Sequence, residues 1–377
     1  MTQIESISLE DQIKNMALEE GAVLVGICSA DSIKDKDFSD PNFLLPGAKS
    51  VIGIAVNLDD EKIRKYLSKE EYLPLCHEEG YTTKNLKRIS EKIKKFLEEK
   101  GFSAFNCDCN YDYRNINRSS SKIVVSSIKM LIDLINKDKD EKYNLNKKEI
   151  NALKRLKKML LPGLRKTPIR LIPSLSHRCV AVAAGLGRIG WSGNLITNDY
   201  GARVLLNSII TNAELKPDKP LETNPCVKCK VCERSCQGGL FSKDDEQTIK
   251  IAGVEETIAK RNSYAYCIAI CSGMSGQNKF KEWSTWSPFR FDDIEKLPLD
   301  DSVEDYVKNM FASNIEKSGP QAENVLRLVE NSFLGRNNKP AEDFKPTCGF
   351  CQLICSGQDL KKTKENYKLI VDSGCIE

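Results

Sequence analysis

Histidine is almost missing: His77 and His177 are the two in 377 residues. That nearly excludes a zinc enzyme built on imidazole ligands. Long apolar runs are missing as well, and no segment approaches the roughly 18 consecutive apolar residues that a membrane-spanning helix needs. The start, MTQIESISLEDQ, has neither a basic flank nor an apolar stretch, so it does not read as a secretory signal and the expectation is a cytoplasmic protein with no membrane partner. Charge of one sign is not in excess: 57 Lys plus Arg stand against 53 Asp plus Glu, a balance that leaves nucleic acid a permitted but not a favoured partner. The densest basic run, KKEINALKRLKKMLLPGLRK at 147–166, reads as the solvated face of an amphipathic helix. No repeat of solenoid length occurs. No C-x3-C-x2-C triplet occurs either, which excludes the usual radical SAM cluster.

What is present is an alternation of helix and strand patterns. Ser8 can cap a helix with Leu9, Ile13, Met16 and Ala17 on one face and Gly21 at its end. AVLVGI at 22–27 and SVIGIAV at 50–56 read as strands, with further short apolar runs at 102–105, 123–125 and 203–210. Leu86, Ile89, Ile93, Phe96 and Leu97 have helical spacing and Gly101 follows them. Residues 1–220 therefore read as an α/β or α+β domain with a charged, exposed insertion at 135–149. From about 221 to 377 turn-rich and irregular segments replace the periodicity, as in a domain organised around inorganic cofactors.

Fifteen cysteines in a reducing compartment point to metal rather than disulfides. CVKCKVCERSC places Cys226, Cys229, Cys232 and Cys236 at C-x2-C-x2-C-x3-C, the bacterial ferredoxin spacing, in which the fourth thiolate serves a second cluster. CGFCQLIC supplies the reciprocal group, Cys348, Cys351 and Cys355. By that logic Cys226, Cys229, Cys232 and Cys355 hold one 4Fe–4S cluster, and Cys236, Cys348 and Cys351 hold three corners of another. Its last corner is Cys267, with Cys271 the alternative; structural zinc is the competing use of paired C-x2-C. Two such clusters form a ferredoxin-like electron relay.

AAGLGRIGWSGN at 183–194 matches G-x-G-x-x-G and follows CVAVAA, which could be a strand. A dinucleotide fold would need a helix to begin in those glycines and an acidic residue about 20 positions on. WSGNLITNDYGAR is poor helix material, Asp199 comes too early and Glu214 lies beyond an apolar run.

The loop, its continuation to NAEL at 215 and the cysteine framework together resemble the superfamily of epoxyqueuosine reductases and reductive dehalogenases, which are cobalamin-dependent iron–sulfur reductases. EEGAVLVGICSAD and LPGAKSVIGIAVNL extend the likeness over most of the chain apart from 110–165. The resemblance implies a cobalamin-binding-type domain followed by the ferredoxin-like one. It also implies a base-off corrinoid approached by Gly185, Leu186, Gly187, Gly190, Asn194 and Gly201, where glycine permits close contact. Electrons from a low-potential donor such as ferredoxin or flavodoxin would pass through the clusters to cobalt and then to an organohalide, an epoxide or a protein-bound corrinoid. The alternative is an electron-transfer protein that reduces a partner's cofactor without catalysis of its own. This sequence departs from the epoxyqueuosine reductases where they carry an acidic pair before AGLG, at Leu171 and His177, and where they carry a lysine, at Trp191. His177, Tyr111 and Tyr113 are the candidate replacement proton donors.

Overall fold

The structure, a computed structural model, describes residues 7–34, 39–68, 70–71, 73–107, 175–236, 239–262, 267, 302–303, 305–306 and 349–373. Strands β1 (Leu24–Ser29), β2 (Ser50–Asn57), β3 (Ala104–Asn106) and β6 (Val204–Thr211) form one sheet in the order β1-β2-β6-β3, and the short β4 (Arg188–Ile189) and β5 (Leu195–Ile196) pair separately. Every neighbouring pair is antiparallel, so of the two classes the sequence allows, the mixed domain is α+β rather than a parallel α/β sheet.

β2 is buried from Ser50 to Val56 because helices cover both faces of the sheet. Successive side chains alternate: Ile52 and Ile54 face Ile13 and Ala17 of α1 (Leu9–Glu19) and Leu86, Ile89, Ile93 and Leu97 of α3 (Leu73–Glu99). α2 (Asp60–Leu67) precedes α3. Val51 and Ala55 face the opposite way, toward Val180 and Ala184. Ser8 caps α1 by accepting from Asp11 N at 3.1 Å, and Gly21 beyond it has φ +96°. α3 begins well before Leu86, because Gly80 and Thr82–Thr83 hide its first turns from a propensity reading.

The stretch CVAVAA is not a strand. Residues His177–Ala183 form α4, with Ser176 accepting from Cys179 N. Ala181 and Ala183 favour the helix, and Gly185, at φ +74°, ends it. Gly185 N donates to Val182 O and Leu186 N to Ala181 O, the paired bonds of a Schellman cap. α4 lies directly on the sheet over two strand glycines: a Cβ on Gly26 would stand 2.1 Å from Ala184 O, and one on Gly53 3.2 Å from Val180 Cγ1.

Beyond 220 the expected irregular chain contains an ordered hairpin, β7 (Phe241–Ile251) with β8 (Val254–Arg261). Its turn, Ala252 and Gly253, has φ +50° and +79°, positive at both central residues as a two-residue hairpin requires. Ile258 joins the core on the α4 side of the sheet, with Ile249, Ile251 and Val254 packed against it. The packing is continuous across residue 220. Two short helices, α5 (Val231–Arg234) and α6 (Phe350–Leu353), pack on each other, and α7 (Leu360–Asp372) rests against α2. No helix among the described residues is long and apolar enough to cross a membrane. The expectations at 123–125, 135–149 and 147–166 lie outside the described residues.

Candidate metal centre

The two cysteine groups share one local design. In the first, Lys230 takes a left-handed φ of +57° and leads into α5, which carries Cys232; in the second, Gly349 takes φ +82° and leads into α6, which carries Cys351. Cys236 and Cys355 lie four residues beyond those middle cysteines. The left-handed residue turns the chain sharply, so that cysteines two or three residues apart wrap one space instead of spreading along a rod. Lys228 repeats the turn at φ +49°.

Cys226, Cys229 and Cys232 from the first group and Cys355 from the second line one small pocket together with Trp191, Ile196, Ile354 and Thr363. This is the set that reciprocal ferredoxin spacing selects. Among the described residues no group of three or more His, Cys, Asp or Glu side chains is placed to hold a metal ion. A cubane asks for something different, because each thiolate binds a different iron and the four must stand apart around its corners.

Each group's sulfur chemistry is prepared by its surroundings. Burial pushes the Cys355 thiol up to about 11, against the lowering effect of the Gly357 and Ala202 backbone N–H groups. Burial, with the neighbouring Cys355, Cys351, Cys226 and Cys229, raises Cys232 further. Both stay protonated near neutrality unless a metal takes the proton's place, as ligation does. Trp191 N donates to Cys226 Sγ at 3.3 Å, Leu240 N to Cys236 Sγ at 3.4 Å, and Asn194 Nδ2 reaches Cys351 Sγ at 3.7 Å. Donors of this kind lower the charge on cluster sulfurs and tune their potential.

The glycine loop is thus tied to cysteines from both groups. Its glycines lie where the chain leaves no room for a side chain. A Cβ on Gly190 would stand 2.4 Å from Ile196 Cγ1 and 3.1 Å from Cys226 Sγ; on Gly187, 2.5 Å from Ile196 O; on Gly185, 2.4 Å from Lys219 O; on Gly201, 2.3 Å from Cys355 O. The β7–β8 hairpin presses from the other side. Ala259 N donates to Trp191 O, and Arg261 Nη2 donates to Ser192 O at 2.6 Å and lies over Gly193. Arg188, 9 % exposed, pairs with Glu256 of the hairpin at 2.5 Å and donates to Leu221 O at 2.6 Å. Because the first glycine ends a helix, the loop has no helix N-terminus for a pyrophosphate, and the dinucleotide reading fails on geometry.

The sequence relatives have names consistent with this site. A tetrachloroethene reductive dehalogenase of Sulfurospirillum multivorans is 28% identical over 145 residues, 33% of this chain and 29% of its own. An epoxyqueuosine reductase of Synechocystis is 33% identical over 89 residues, 24% of this chain and 30% of its own. One from Bacillus cereus is 39% identical over 67 residues, 18% of this chain and 17% of its own. This chain is a divergent relative of both groups. It matches about three tenths of the length of the reductive dehalogenase. No protein-family profile matches it. Among solved structures, a reductive dehalogenase covers 90% of this chain and 39% of its own at TM-score 0.45 and 14% identity. An epoxyqueuosine reductase with a tRNA stem loop covers 96% and 99% at TM-score 0.39 and 14% identity. The relationship rests on the sequence matches.

Of the other expected residues in this divergent relative, His177 stands at the start of α4 with Nδ1 2.8 Å from Ser208 Oγ on β6. Cys267 is half-buried. Cys348, Cys271, Tyr111, Tyr113 and Leu171 lie outside the described residues. Sequence reasoning missed Asn224, whose Oδ1 accepts from Cys226 N at 2.8 Å while its Nδ2 donates to Ile189 O at 2.8 Å. An Asn two residues before the first cysteine, in NPC, is the turn signal that marks it. Arg178, the neighbour of His177, donates to Gly193 O at 2.5 Å, a contact that no sequence signal marks.

Proposed function

We propose that the chain is an iron–sulfur reductase that carries electrons from a low-potential donor such as ferredoxin or flavodoxin through two 4Fe–4S clusters, held in a ferredoxin-like domain, to a base-off corrinoid that reduces a substrate. The observation that carries the reading is the convergence of Cys226, Cys229, Cys232 and Cys355 on one cavity from segments more than a hundred residues apart. Cys236, Cys348, Cys351 and Cys267 or Cys271 complete the second set. Bound there, the clusters would supply one-electron transfer. The chain's own part is to hold the thiolates apart, shield them with Trp191 and Ile354, and donate N–H groups to the sulfurs. The relatives are reductases by name, which supports an enzyme.

The corrinoid part rests on those relatives and on the scarcity of histidine, not on the fit of the loop. The Cβ faces of Gly185, Gly187, Gly190 and Gly201 meet the chain's own atoms, and Asn194 turns to Cys351. That packing favours a second reading, an electron-transfer protein that reduces the cofactor of a partner. Tyr111, Tyr113 and His177 are proposed donors for the first reading only; an organohalide or an epoxide is the substrate class that the relatives' names support, and a protein-bound corrinoid is the third candidate.

Anaerobic reconstitution with iron, sulfide and cobalamin tests both. The reductase reading expects about eight irons per chain and stoichiometric cobalt that survives gel filtration. Full iron without cobalt selects the relay, and little iron overturns both.

A further inference from the structure

We propose that Arg203 is a built-in cation that raises the reduction potential of the cluster held by Cys226, Cys229, Cys232 and Cys355; the inference rests on the iron–sulfur reading above. Residue 203 is pinned against the second cysteine group on both sides. Ala202 N donates to Cys355 O at 3.1 Å, and Gln352 Nε2 donates to Val204 O at 3.1 Å. Gly201 makes this approach possible, since a Cβ there would lie 2.3 Å from Cys355 O.

The Arg203 side chain is 4 % exposed, and its Nε is buried with no hydrogen-bond partner. Burying a guanidinium with a donor unsatisfied is costly, so a merely structural reading leaves that cost without a return. Its ion-pair partner, Asp60, is 48 % exposed and is shared with Lys362 of α7. The anion therefore sits on the solvent side, while the buried cation lies within electrostatic reach of Cys355, a dipole with its positive end inward. Water screens the outer charge more than the inner one, so the cluster feels a net positive field.

Adding one electron to that cluster adds one negative charge beside Arg203. Coulomb's law at an effective dielectric of about 20 makes a fixed charge roughly 10 Å away worth about a factor of ten in the reduction equilibrium, which is 59 mV for a one-electron couple. Ala202, the neighbour of Arg203, bonds Cys355 directly, so the first cluster feels Arg203 more than the cluster with Cys351 and Cys236 does.

The test uses the full reconstituted chain, titrated anaerobically with Ti(III) citrate, which gives up one electron and becomes Ti(IV), while the reduced clusters are followed by electron paramagnetic resonance. The signal of the first cluster is identified by its loss in Cys226→Ser. Arg203→Gln should leave iron content intact and cut the reduced fraction ratio of that cluster about tenfold at a fixed potential, while the other cluster changes little. Arg203→Lys should restore it. Should Arg203→Gln fail to bind iron, Asp60→Asn, which removes the outer anion, must move the same potential upward. The proposal falls if Arg203→Gln leaves the first potential in place, if both clusters shift equally, if Arg203→Lys behaves like Arg203→Gln, or if Asp60→Asn moves nothing. A wild-type chain that takes up little iron brings down the iron–sulfur reading instead, which keeps the two failures apart.

Discussion

Replacing Gly201 by alanine tests the close packing of the glycine segment on the second cysteine group. The backbone there has φ +58°, and the new Cβ would meet Cys355 O at 2.3 Å and Gly357 N at 2.6 Å. A side chain in left-handed backbone costs roughly 1–2 kcal/mol, and forcing a methyl into packed backbone adds about 1–3 kcal/mol, for a loss of about 2–5 kcal/mol. Gly253, in the hairpin turn, provides the control: φ is +79° and a Cβ would meet nothing within 4 Å, so Gly253→Ala incurs only the first cost. Urea unfolding of the two metal-free variants followed by far-ultraviolet circular dichroism gives the difference, about 1–3 kcal/mol. Gly201→Ala should also take up less iron, because the clash is relieved only by moving the Cys355 backbone. Equal unfolding midpoints for the two variants, with full iron uptake in both, would refute the reasoning.

Three further outcomes are expected. Arg188→Met leaves Glu256, 10 % exposed in its side chain, without its partner, and unfolding experiments should show a loss of about 3–5 kcal/mol, more than Lys368→Met at the exposed pair with Asp372, where the loss is about 0–1 kcal/mol. Burial pushes the Cys28 thiol from 9.0 up to about 12. The neutral thiol is thus favoured in the folded chain, and its contribution is complete below pH 9 and lost as pH rises toward 12, at about 1.4 kcal/mol per pH unit; Cys28→Ala should flatten that alkaline slope in denaturation curves. Asn224→Ala removes the bridge between Cys226 N and Ile189 O, and should slow cluster reconstitution measured by absorbance near 400 nm while leaving far-ultraviolet circular dichroism unchanged.

The parts of this chain that sequence made legible are those set by local chemistry. Ser8 and Gly21 bound a helix because a side-chain cap and a left-handed glycine are one-residue decisions. Ferredoxin spacing is a statement about which thiolates would share a cluster, and four of the cysteines it pairs, Cys226, Cys229, Cys232 and Cys355, line one pocket. CVAVAA was ambiguous, since a six-residue apolar run carries no period that separates strand from helix. Its helix is decided by Ser176 before it and the Gly185 cap after it. The hairpin at 241–261 was hidden because its turn is Ala-Gly rather than Asn-Gly, and because its outer face is a run of exposed charged residues. The sheet's antiparallel order was beyond any local signal, because pairing β2 with β6 joins residues about 150 positions apart. Glycines that look like a nucleotide motif turned out to mark crowding by the chain itself, a property of three-dimensional neighbours such as Ile196 and Cys355.

The central claim, that thiolates from both ends of the second half of the chain share a cluster, is tested most directly by comparing three single substitutions after anaerobic reconstitution. Cys226→Ser and Cys355→Ser should lose the same paramagnetic signal on reduction and keep the same remaining one, whereas Cys351→Ser should lose the other. A Cys355→Ser spectrum that matches Cys351→Ser instead of Cys226→Ser would contradict the crossed arrangement.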